Sequence, residues 1–315
     1  RVEAMEMLIG QTVVADGRSF IVESIHGDRA SLRDTTFQES TGFPIYRNEP
    51  LTFVKDHIVM EQEPLAEVPQ AIEQRVEKRN YHITDTELGT GTPTEKYQNN
   101  ITAIRLLKEL ESENRLATAE EQAVLAKYVG WGGLAECFSE TNRNYVELKS
   151  LLTEEEFSSA RESTLTAFYT QPTVIKAIYQ GLSQMGFETG NILEPSCGTG
   201  NFLGLLPESM ENSHIYGVEL DSISGRIAKQ LYQKADIRIQ GFEDTDFSDS
   251  FFDVAIGNVP FGQFKVSDKR YDKNNFLIHD YFFGKALDQV RPGGVIAFIT
   301  SKGTMDKEST AVRKY

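Results

Sequence analysis

Cysteine, tryptophan and long apolar stretches are scarce in this sequence of 315 residues. The two cysteines, Cys137 and Cys197, lack the close spacing of metal ligands and are too few for a disulfide framework. We therefore expect no metal site and a reducing, cytoplasmic environment. No apolar run approaches the roughly 20 residues of a membrane-spanning helix, and no segment has the pattern of a signal peptide. These absences argue against a secreted disulfide-rich domain and against a membrane protein.

Basic residues are also relatively few: the sequence has 32 of them against 47 acidic residues, which gives a formal net charge of −15. Free DNA-binding domains are usually basic. The distribution is uneven, however, since the segment from Pro260 to Tyr315 holds ten Lys or Arg residues against six Asp or Glu residues. This segment could face a polyanion, or it could simply be a solvated surface. In either case we expect only weak DNA binding by this chain alone.

Residues 8–60 predict a small β-barrel or curled sheet. Asp16-Gly17 is a strong hairpin signal between the strand-like runs Gln11–Ala15 and Ser19–Glu23. Further strands are expected at Arg29–Leu32 and Leu51–Val54. We expect a structural or protein-docking role for this domain, because its charge is not basic.

Residues 95–160 predict helices, because apolar residues recur there at steps of three and four. Thr118 and Glu121 form a predicted capping box at the start of one helix. Trp131, the only tryptophan, stands among glycines and predicts a packed corner. The predicted domains are a small β domain at 1–62, a linker and helical region at 63–165, and an α/β core at 166–315.

From residue 172 onward strand and helix patterns alternate, which predicts a doubly wound, mostly parallel, Rossmann-like sheet. The predicted strands are Asn191–Glu194, Ile215–Leu220, Asp236–Gln240, Phe252–Ile256 and Val295–Thr300. The predicted helices are Thr173–Met185, Asn201–Leu206, Ser222–Lys234 and Phe276–Val290. Open α/β sheets bind ligands at the carboxyl ends of their strands.

Two short sequence motifs, which we call phrases, lie at the carboxyl ends of such strands. The first is an apolar strand that enters a Gly-rich turn and opens a helix, an arrangement that places backbone N–H groups around a small anionic group. It is Ile192-Leu193-Glu194-Pro195-Ser196-Cys197-Gly198-Thr199-Gly200-Asn201-Phe202. The second, Asn258-Val259-Pro260-Phe261-Gly262, combines an amide, a rigid backbone and an aromatic face. These groups suit a planar base whose exocyclic amine is held by hydrogen-bond acceptors.

The first phrase resembles the S-adenosylmethionine loop of class I methyltransferases. The second is similar to the Asn-Pro-Pro-Tyr/Phe signature of amino-methyltransferases, with Val259 in place of the first proline. The segment Ala167-Phe168-Tyr169-Thr170-Gln171-Pro172 resembles the one that covers the cofactor in adenine-N6 DNA methyltransferases. The wider pattern includes Tyr128–Leu134, Ile278–Phe283 and Thr300–Lys307. Over residues 80–315 the chain thus resembles the methylase portion of the very large methylase–helicase proteins of phages and conjugative elements.

The resemblance implies S-adenosylmethionine as the cofactor and a set of residues that bind it. Glu219 is expected to accept hydrogen bonds from the ribose hydroxyls, Glu194 to lie near the methionine moiety, and Phe242 and Glu243 to contact the adenine. The remaining expected contacts come from the covering segment, the Gly-rich turn and the end of the second strand. They are Phe168, Tyr169, Thr170, Pro195, Ser196, Gly198, Gly200, Asn201, Phe202 and Leu220.

The expected catalytic residues are Asn258, Val259, Pro260 and Phe261. If the Asn258 side-chain oxygen and the Val259 carbonyl both accept N–H bonds from the exocyclic amine, its lone pair points at the sulfonium methyl for in-line displacement. Pro260 would fix the turn, and Phe261 would offer a face on which a flipped base stacks. The implied reaction is methylation of adenine N6 in DNA.

Several other functions stay open at this point. A nicotinamide dehydrogenase is disfavoured, because Gly198, Gly200 and Gly204 depart from the dinucleotide fingerprint. A methyltransferase of the same signature could act on RNA, on a protein glutamine or on cytosine N4. A non-catalytic module that binds cofactor or DNA is a third hypothesis.

We also expect this chain to be part of a longer protein, because it starts at Arg1 and stops inside a polar, helix-like stretch. Five strands are predicted where the resemblance implies seven, so Val295–Thr300 is expected at the sheet edge or paired with a segment outside the five. The partners that the resemblance implies are DNA and further domains of the longer protein, a helicase among them, with no membrane.

Overall fold

The computed structural model describes residues 8–36, 44–58, 77–85, 87, 89–164, 170–308 and 310–315. These residues fall into two compact units, one within Arg1–Arg75 and the other within Val76–Tyr315. The predicted domain boundaries after residues 62 and 165 lie outside the described residues and stay predictions. Among the described residues, every helix is too short or too polar to cross a lipid bilayer.

The first unit contains a four-stranded antiparallel sheet. Its strands are β1 (Thr12–Ala15), β2 (Arg18–His26), β3 (Arg29–Asp34) and β4 (Tyr46–Pro50), in the order β1-β2-β3-β4. Asp16 and Gly17 connect the first two strands with φ values of 53° and 72°, the conformation that the tightest hairpin turns require. The predicted hairpin is therefore confirmed.

The predicted strand at Leu51–Val54 is wrong, because these residues begin the helix α1 (Leu51–His57). Four apolar-rich residues do not distinguish a strand from a helix by themselves. The helix begins after Pro50, buries Val54 completely, and stacks Phe53 on His57 with ring centroids 4.3 Å apart. That contact spans four residues, which is helical spacing.

Helices of 7 to 20 residues lie between Pro93 and Ser163 of the second unit. They are α2 (Pro93–Ser112), α3 (Ala119–Leu125), α4 (Tyr145–Leu151) and α5 (Glu154–Ser163). Capping boxes begin α2, α3 and α5, so the box predicted at Thr118 and Glu121 is confirmed. Trp131 is buried beside Phe138, with ring centroids 5.3 Å apart, and forms the predicted packed corner.

A five-stranded parallel sheet follows in the order β7-β6-β5-β8-β9. Its strands are β5 (Asn191–Glu194), β6 (His214–Glu219), β7 (Asp236–Ile239), β8 (Phe252–Asn258) and β9 (Val290–Ile299). The helices are α6 (Pro172–Gln184), α7 (Asn201–Gly204), α8 (Ser222–Leu231), α9 (Ile278–Gln289) and α10 (Ala311–Lys314). The predicted doubly wound fold is confirmed, and within the described residues β9 pairs only with β8, at the edge.

Both faces of this sheet are covered. Ile192 of β5 packs in one apolar cluster with Tyr179 of α6, whereas Leu193 packs in another with Phe282 of α9. Successive residues of a strand point to opposite faces, so β5 contributes to both clusters. A parallel sheet buried on both faces reads as a continuous apolar run, which is why its sequence was recognisable.

The helical region packs against α8 through polar contacts. Gln122 Nε2 donates to the Gln230 carbonyl over 2.9 Å, and Gln230 Oε1 accepts from the Ala117 N–H over 2.8 Å. Arg226 Nη1 donates to Glu156 Oε1 over 2.6 Å, and the mostly buried Glu156 also accepts from Lys108 over 2.8 Å. These contacts hold the helices on the flank of the sheet where β6 lies.

The turn between β5 and α7 depends on two glycines with positive φ, 56° at Gly198 and 88° at Gly200. A Cβ at Gly200 would lie 2.3 Å from Cε2 of the buried Tyr232, whereas a Cβ at Gly198 would meet nothing within 4 Å. Gly200 is therefore required by packing, and Gly198 leaves open space above the backbone.

We expect Gly200→Ala to lower the free energy of unfolding of this unit by about 3 kcal/mol and Gly198→Ala by about 1–2 kcal/mol. Both changes add left-handed backbone strain, and only the first adds a clash with Tyr232. Denaturant unfolding followed by the fluorescence of Trp131, the single tryptophan, measures the difference. Equal destabilisation by the two variants would show that Tyr232 does not constrain the turn.

Candidate active site

The two sequence phrases meet at the point where the strand order of the sheet reverses. From β5 the chain runs outward through β6 and β7, then returns to β8 on the other side of β5. Ile192 pairs with Val254 and Leu193 with Ala255, so the ends of β5 and β8 are neighbours. Crevices at such a reversal are where open α/β sheets bind ligands.

Glu219 ends β6 and forms a hydrogen bond with the Gly-rich turn. Its carboxylate accepts from the Gly198 N–H over 2.7 Å and from the Asp221 N–H over 2.7 Å. Burial raises the pKa of Glu219 to about 7. Each carboxylate oxygen has a second lone pair for a ligand hydroxyl. The neighbouring Leu220 is 74% exposed, an apolar surface that a bound planar group could cover.

Glu194 ends β5 as a buried carboxyl group. It is 2% exposed, and its Oε2 has no hydrogen-bond partner among the described residues. Burial, followed by the charge of Glu219, raises its pKa well above the ordinary value. A buried acceptor without a partner costs free energy unless a ligand donates to it. Glu194 can therefore receive a cationic or N–H donor group at the end of β5.

Asn258 ends β8, and of its side-chain amide only the nitrogen has a hydrogen-bond partner among the described residues. Its Nδ2 donates to Thr170 Oγ1 over 3.2 Å, and its buried Oδ1 has no partner among the described residues. The amide therefore presents a free oxygen, the acceptor that the predicted chemistry requires. Thr170 was predicted to touch the cofactor. Its contact with Asn258, 88 positions away, was not predicted, because no sequence spacing signals it.

Val259 extends the pairing of β8 with β9. Its N–H donates to the Ile299 carbonyl over 3.1 Å, a bond that a proline cannot make. Its side chain is 1% exposed. The departure from the methyltransferase signature thus replaces the rigidity of a proline ring with a hydrogen bond. Phe261, two residues on, is 39% exposed, whereas Pro260 is half-buried.

The other predicted cofactor residues are arranged as follows. Pro195, Ser196 and Asn201 belong to the turn and to the start of α7, and Phe202 is a buried residue whose carbonyl accepts from the Tyr179 hydroxyl. Phe242 is buried against Phe282, and Glu243 follows it in a short 3-10 helix. Their predicted contacts with the adenine stay predictions. Phe168 and Tyr169 lie outside the described residues.

A buried polar cluster lies in the first turn of α9. His279 and Asp280 are each 3% exposed, and Asp280 forms an ion pair with Lys307, which follows β9. Burial, and then the charge of Lys307, lowers the pKa of His279, which favours its neutral form. No group of His, Cys, Asp and Glu side chains suited to a metal ion occurs in the described part of the chain.

The comparisons with known proteins point to one family. A family model described as Eco57I restriction-modification methylase matches residues 95–315. "Defense against restriction protein B" of Escherichia phage P1 is 30% identical over 202 residues, which are 62% of this chain and 8% of that protein. "Type II methyltransferase M.CvrRI" of Paramecium bursaria Chlorella virus XZ-6E is 35% identical over 115 residues, which are 36% of this chain and 29% of that protein.

The chain thus spans well under half the length of these two curated relatives. Among solved structures, a Listeria monocytogenes protein described as a class I S-adenosylmethionine-dependent methyltransferase shares 17% identity at a TM-score of 0.43. That similarity covers 70% of this chain and 76% of the other.

The matched range 95–315 contains Thr170, the Gly-rich turn and the Asn258 phrase, and it is well over half of the chain. The resemblance to DNA-modifying methylases drawn from the two phrases is confirmed by this match. The chain belongs to the Eco57I restriction-modification methylase family.

Proposed function

We propose that the chain transfers a methyl group from S-adenosylmethionine to the exocyclic N6 of adenine in DNA, by direct in-line displacement on a flipped base. The observation that carries this proposal is the amide of Asn258 at the point where the strand order reverses: Thr170 accepts from its Nδ2, and its Oδ1 has no partner among the described residues. Membership of the restriction-modification methylase family supports DNA as the substrate.

The cofactor fits the residues on the β5–β6 side. Glu194 Oε2 lacks a partner among the described residues and suits the positive methionine end, while the Glu219 carboxylate suits the ribose hydroxyls. Gly198 leaves room for a ligand directly above the turn. When bound, S-adenosylmethionine supplies a sulfonium methyl group as the electrophile.

The protein's own contribution to the reaction is orientation and hydrogen-bond acceptance. An exocyclic amine is a poor nucleophile, because its lone pair is delocalised into the base. Asn258 Oδ1 and the Val259 carbonyl accept its two N–H bonds, which draws the nitrogen toward tetrahedral geometry. The exposed ring of Phe261 stacks on the base, which has left the duplex to reach these acceptors. As the nitrogen–methyl bond forms, the sulfur–methyl bond would break with its electron pair left on sulfur, and the nitrogen would lose one proton to solvent. No covalent intermediate on the protein is needed.

The direct test is transfer of a labelled methyl group from S-adenosylmethionine to DNA, RNA and protein in parallel. We expect label in DNA, and N6-methyladenine after hydrolysis of that DNA to nucleosides. N4-methylcytosine as the product would correct the base, and label in RNA or in glutamine would correct the substrate class. Cofactor binding without transfer to any of the three would favour a non-catalytic module.

Glu219→Ala is expected to weaken binding of S-adenosylmethionine by about 1.5–3 kcal/mol, the range of a hydrogen bond to a charged group. This is roughly a tenfold to hundredfold loss in affinity, measurable by titration calorimetry. Glu208→Ala, at an exposed carboxylate, is the control and should bind like the parent. Unchanged affinity in the Glu219 variant would remove Glu219 from the cofactor site.

Cofactor affinity is also expected to rise with pH and to level off above about pH 8. The pKa of Glu219 is raised from 4.5 to about 7, so the carboxyl is protonated at pH 5.5, and ribose hydroxyls bind the ionised form better. Because the pKa of Glu219 is higher in the folded protein than in the unfolded chain, Glu219 also stabilises the ligand-free fold below pH 4.5. This contribution to the free energy of unfolding is lost as pH rises to about 7. Calorimetry at several pH values tests the affinity trend, and Glu219→Gln should flatten it. An equal pH dependence of cofactor affinity in the parent and in Glu219→Gln would show that another group causes it.

Asn258→Ala is expected to reduce the rate of methyl transfer by at least about a hundredfold, the usual cost of removing one group that stabilises developing charge. Cofactor affinity should stay within about twofold of the parent, because Asn258 contacts the base rather than the cofactor. Single-turnover transfer and calorimetry measure the two quantities separately. A variant that methylates adenine at nearly the parental rate would refute the mechanism.

A further inference from the structure

Two phenylalanines stand exposed directly after the catalytic strand. Phe261 is 39% exposed and Phe264 is 51% exposed, in the connection between β8 and α9. Exposing an apolar ring to water is unfavourable unless a partner covers it. The proposed function uses Phe261 and leaves Phe264 without a role.

Hydrogen bonds hold the segment that presents Phe264. The Phe264 carbonyl accepts from the Ile278 N–H at the start of α9, over 2.9 Å. Asp268 Oδ2 accepts from the Tyr281 hydroxyl over 2.7 Å and from Lys285 Nζ over 3.2 Å. Tyr281 and Lys285 are both buried in α9. The two exposed rings are therefore carried on a structured connection anchored to the core.

Phe264 also lies next to the catalytic phrase in space. A Cβ placed on Gly262 would stand 2.8 Å from Cδ1 and Cε1 of the Phe264 ring. The ring thus packs over the backbone of the residue that follows Phe261. Gly262 permits this approach, and a larger residue there would displace the ring.

The charge around the ring fits a polyanion. Lys265, Lys269 and Lys273 are exposed, and none of them forms an ion pair with another described residue. Arg270, by contrast, is neutralised by Asp249 and Asp288. Lys265 also donates to the Asn275 side chain, and all three lysines belong, with the two rings, to the connection between β8 and α9. Lysines bind phosphates, and aromatic rings insert between bases.

We infer that Phe264 is a wedge that enters the base stack of duplex DNA as the target adenine leaves it. This inference rests on the proposed function. Asn258 Oδ1 is buried, so a paired base must leave the duplex to reach it, and unstacking and unpairing cost free energy. An apolar ring that occupies the vacated position lowers that cost. Phe261 then stacks on the extruded base while Phe264 fills the gap behind it.

The test compares Phe264→Ala with the parent on duplexes that contain an adenine the parent methylates. In one duplex that adenine is paired with thymine, and in the other it faces an abasic site, where unpairing costs nothing. Single-turnover transfer is measured with protein in excess at about 50 mM salt, where phosphate contacts are strong. We expect the variant to be at least about tenfold slower on the paired target and within about twofold of the parent on the unpaired one.

Phe251→Ala is the matched control, because Phe251 is 37% exposed but precedes β8 at the opposite end of the sheet. It should leave both rates within about twofold of the parent. If Phe264→Ala slows both targets equally or neither, the wedge is refuted, and the ring serves as a general contact or faces another protein surface. If the parent methylates no DNA, the proposed function fails first, and this inference fails with it.

Discussion

The parallel pairing of β5 with β6 on one side and β8 on the other is the constraint on which the site depends. Parallel strands end at the same edge, so Glu194, Glu219 and Asn258 arrive together although their positions span 65 residues of sequence. The carboxylate of Glu219 then joins β6 to the Gly-rich turn of β5 through the Gly198 N–H. Without the reversal of strand order that places β8 beside β5, the two phrases would end strands that are not neighbours, with no common crevice.

This edge of the sheet carries polar groups at a cost to stability. Glu194 Oε2, Asn258 Oδ1, His279 Nδ1 and Asp280 Oδ1 are buried without a hydrogen-bond partner among the described residues. Each such group costs about 1–3 kcal/mol. Two of these groups end strands, and the other two lie in the first turn of α9, which follows the carboxyl end of β8. A fold selected only for stability would pair these groups or replace them with apolar residues.

Sequence reasoning succeeded where local pattern decides structure. The strand predicted at Asn191–Glu194 has the observed bounds, because Gly190 and Pro195 bound the short segment that contains the apolar pair Ile192 and Leu193. It failed at Leu51–Val54, where four residues suit a helix and a strand equally well. It also could not foresee the bond from Asn258 to Thr170 or from Val259 to Ile299. Those contacts depend on which strands become neighbours and on how far the pairing continues beyond each strand end. The spacing of residues along the sequence determines neither.

Different networks hold the end of β6, on the proposed cofactor side of the site, and the end of β8, on the proposed target side. On the cofactor side, Ser159 donates to Asp221 over 2.9 Å, and Arg226 pairs with Glu156, so the helical region supports the end of β6. On the target side, α9 holds the segment after β8 through Lys285 and Asp268, and the segment after β9 through Asp280 and Lys307. Buried ion pairs contribute little net stability, yet removing one partner leaves a costly unpaired charge, so they fix position strongly. Since α9 holds the connections after both β8 and β9, and Lys285 also donates to the Phe242 carbonyl over 2.7 Å, a displacement of that helix would move the residues proposed to bind the base together with the Phe242 segment.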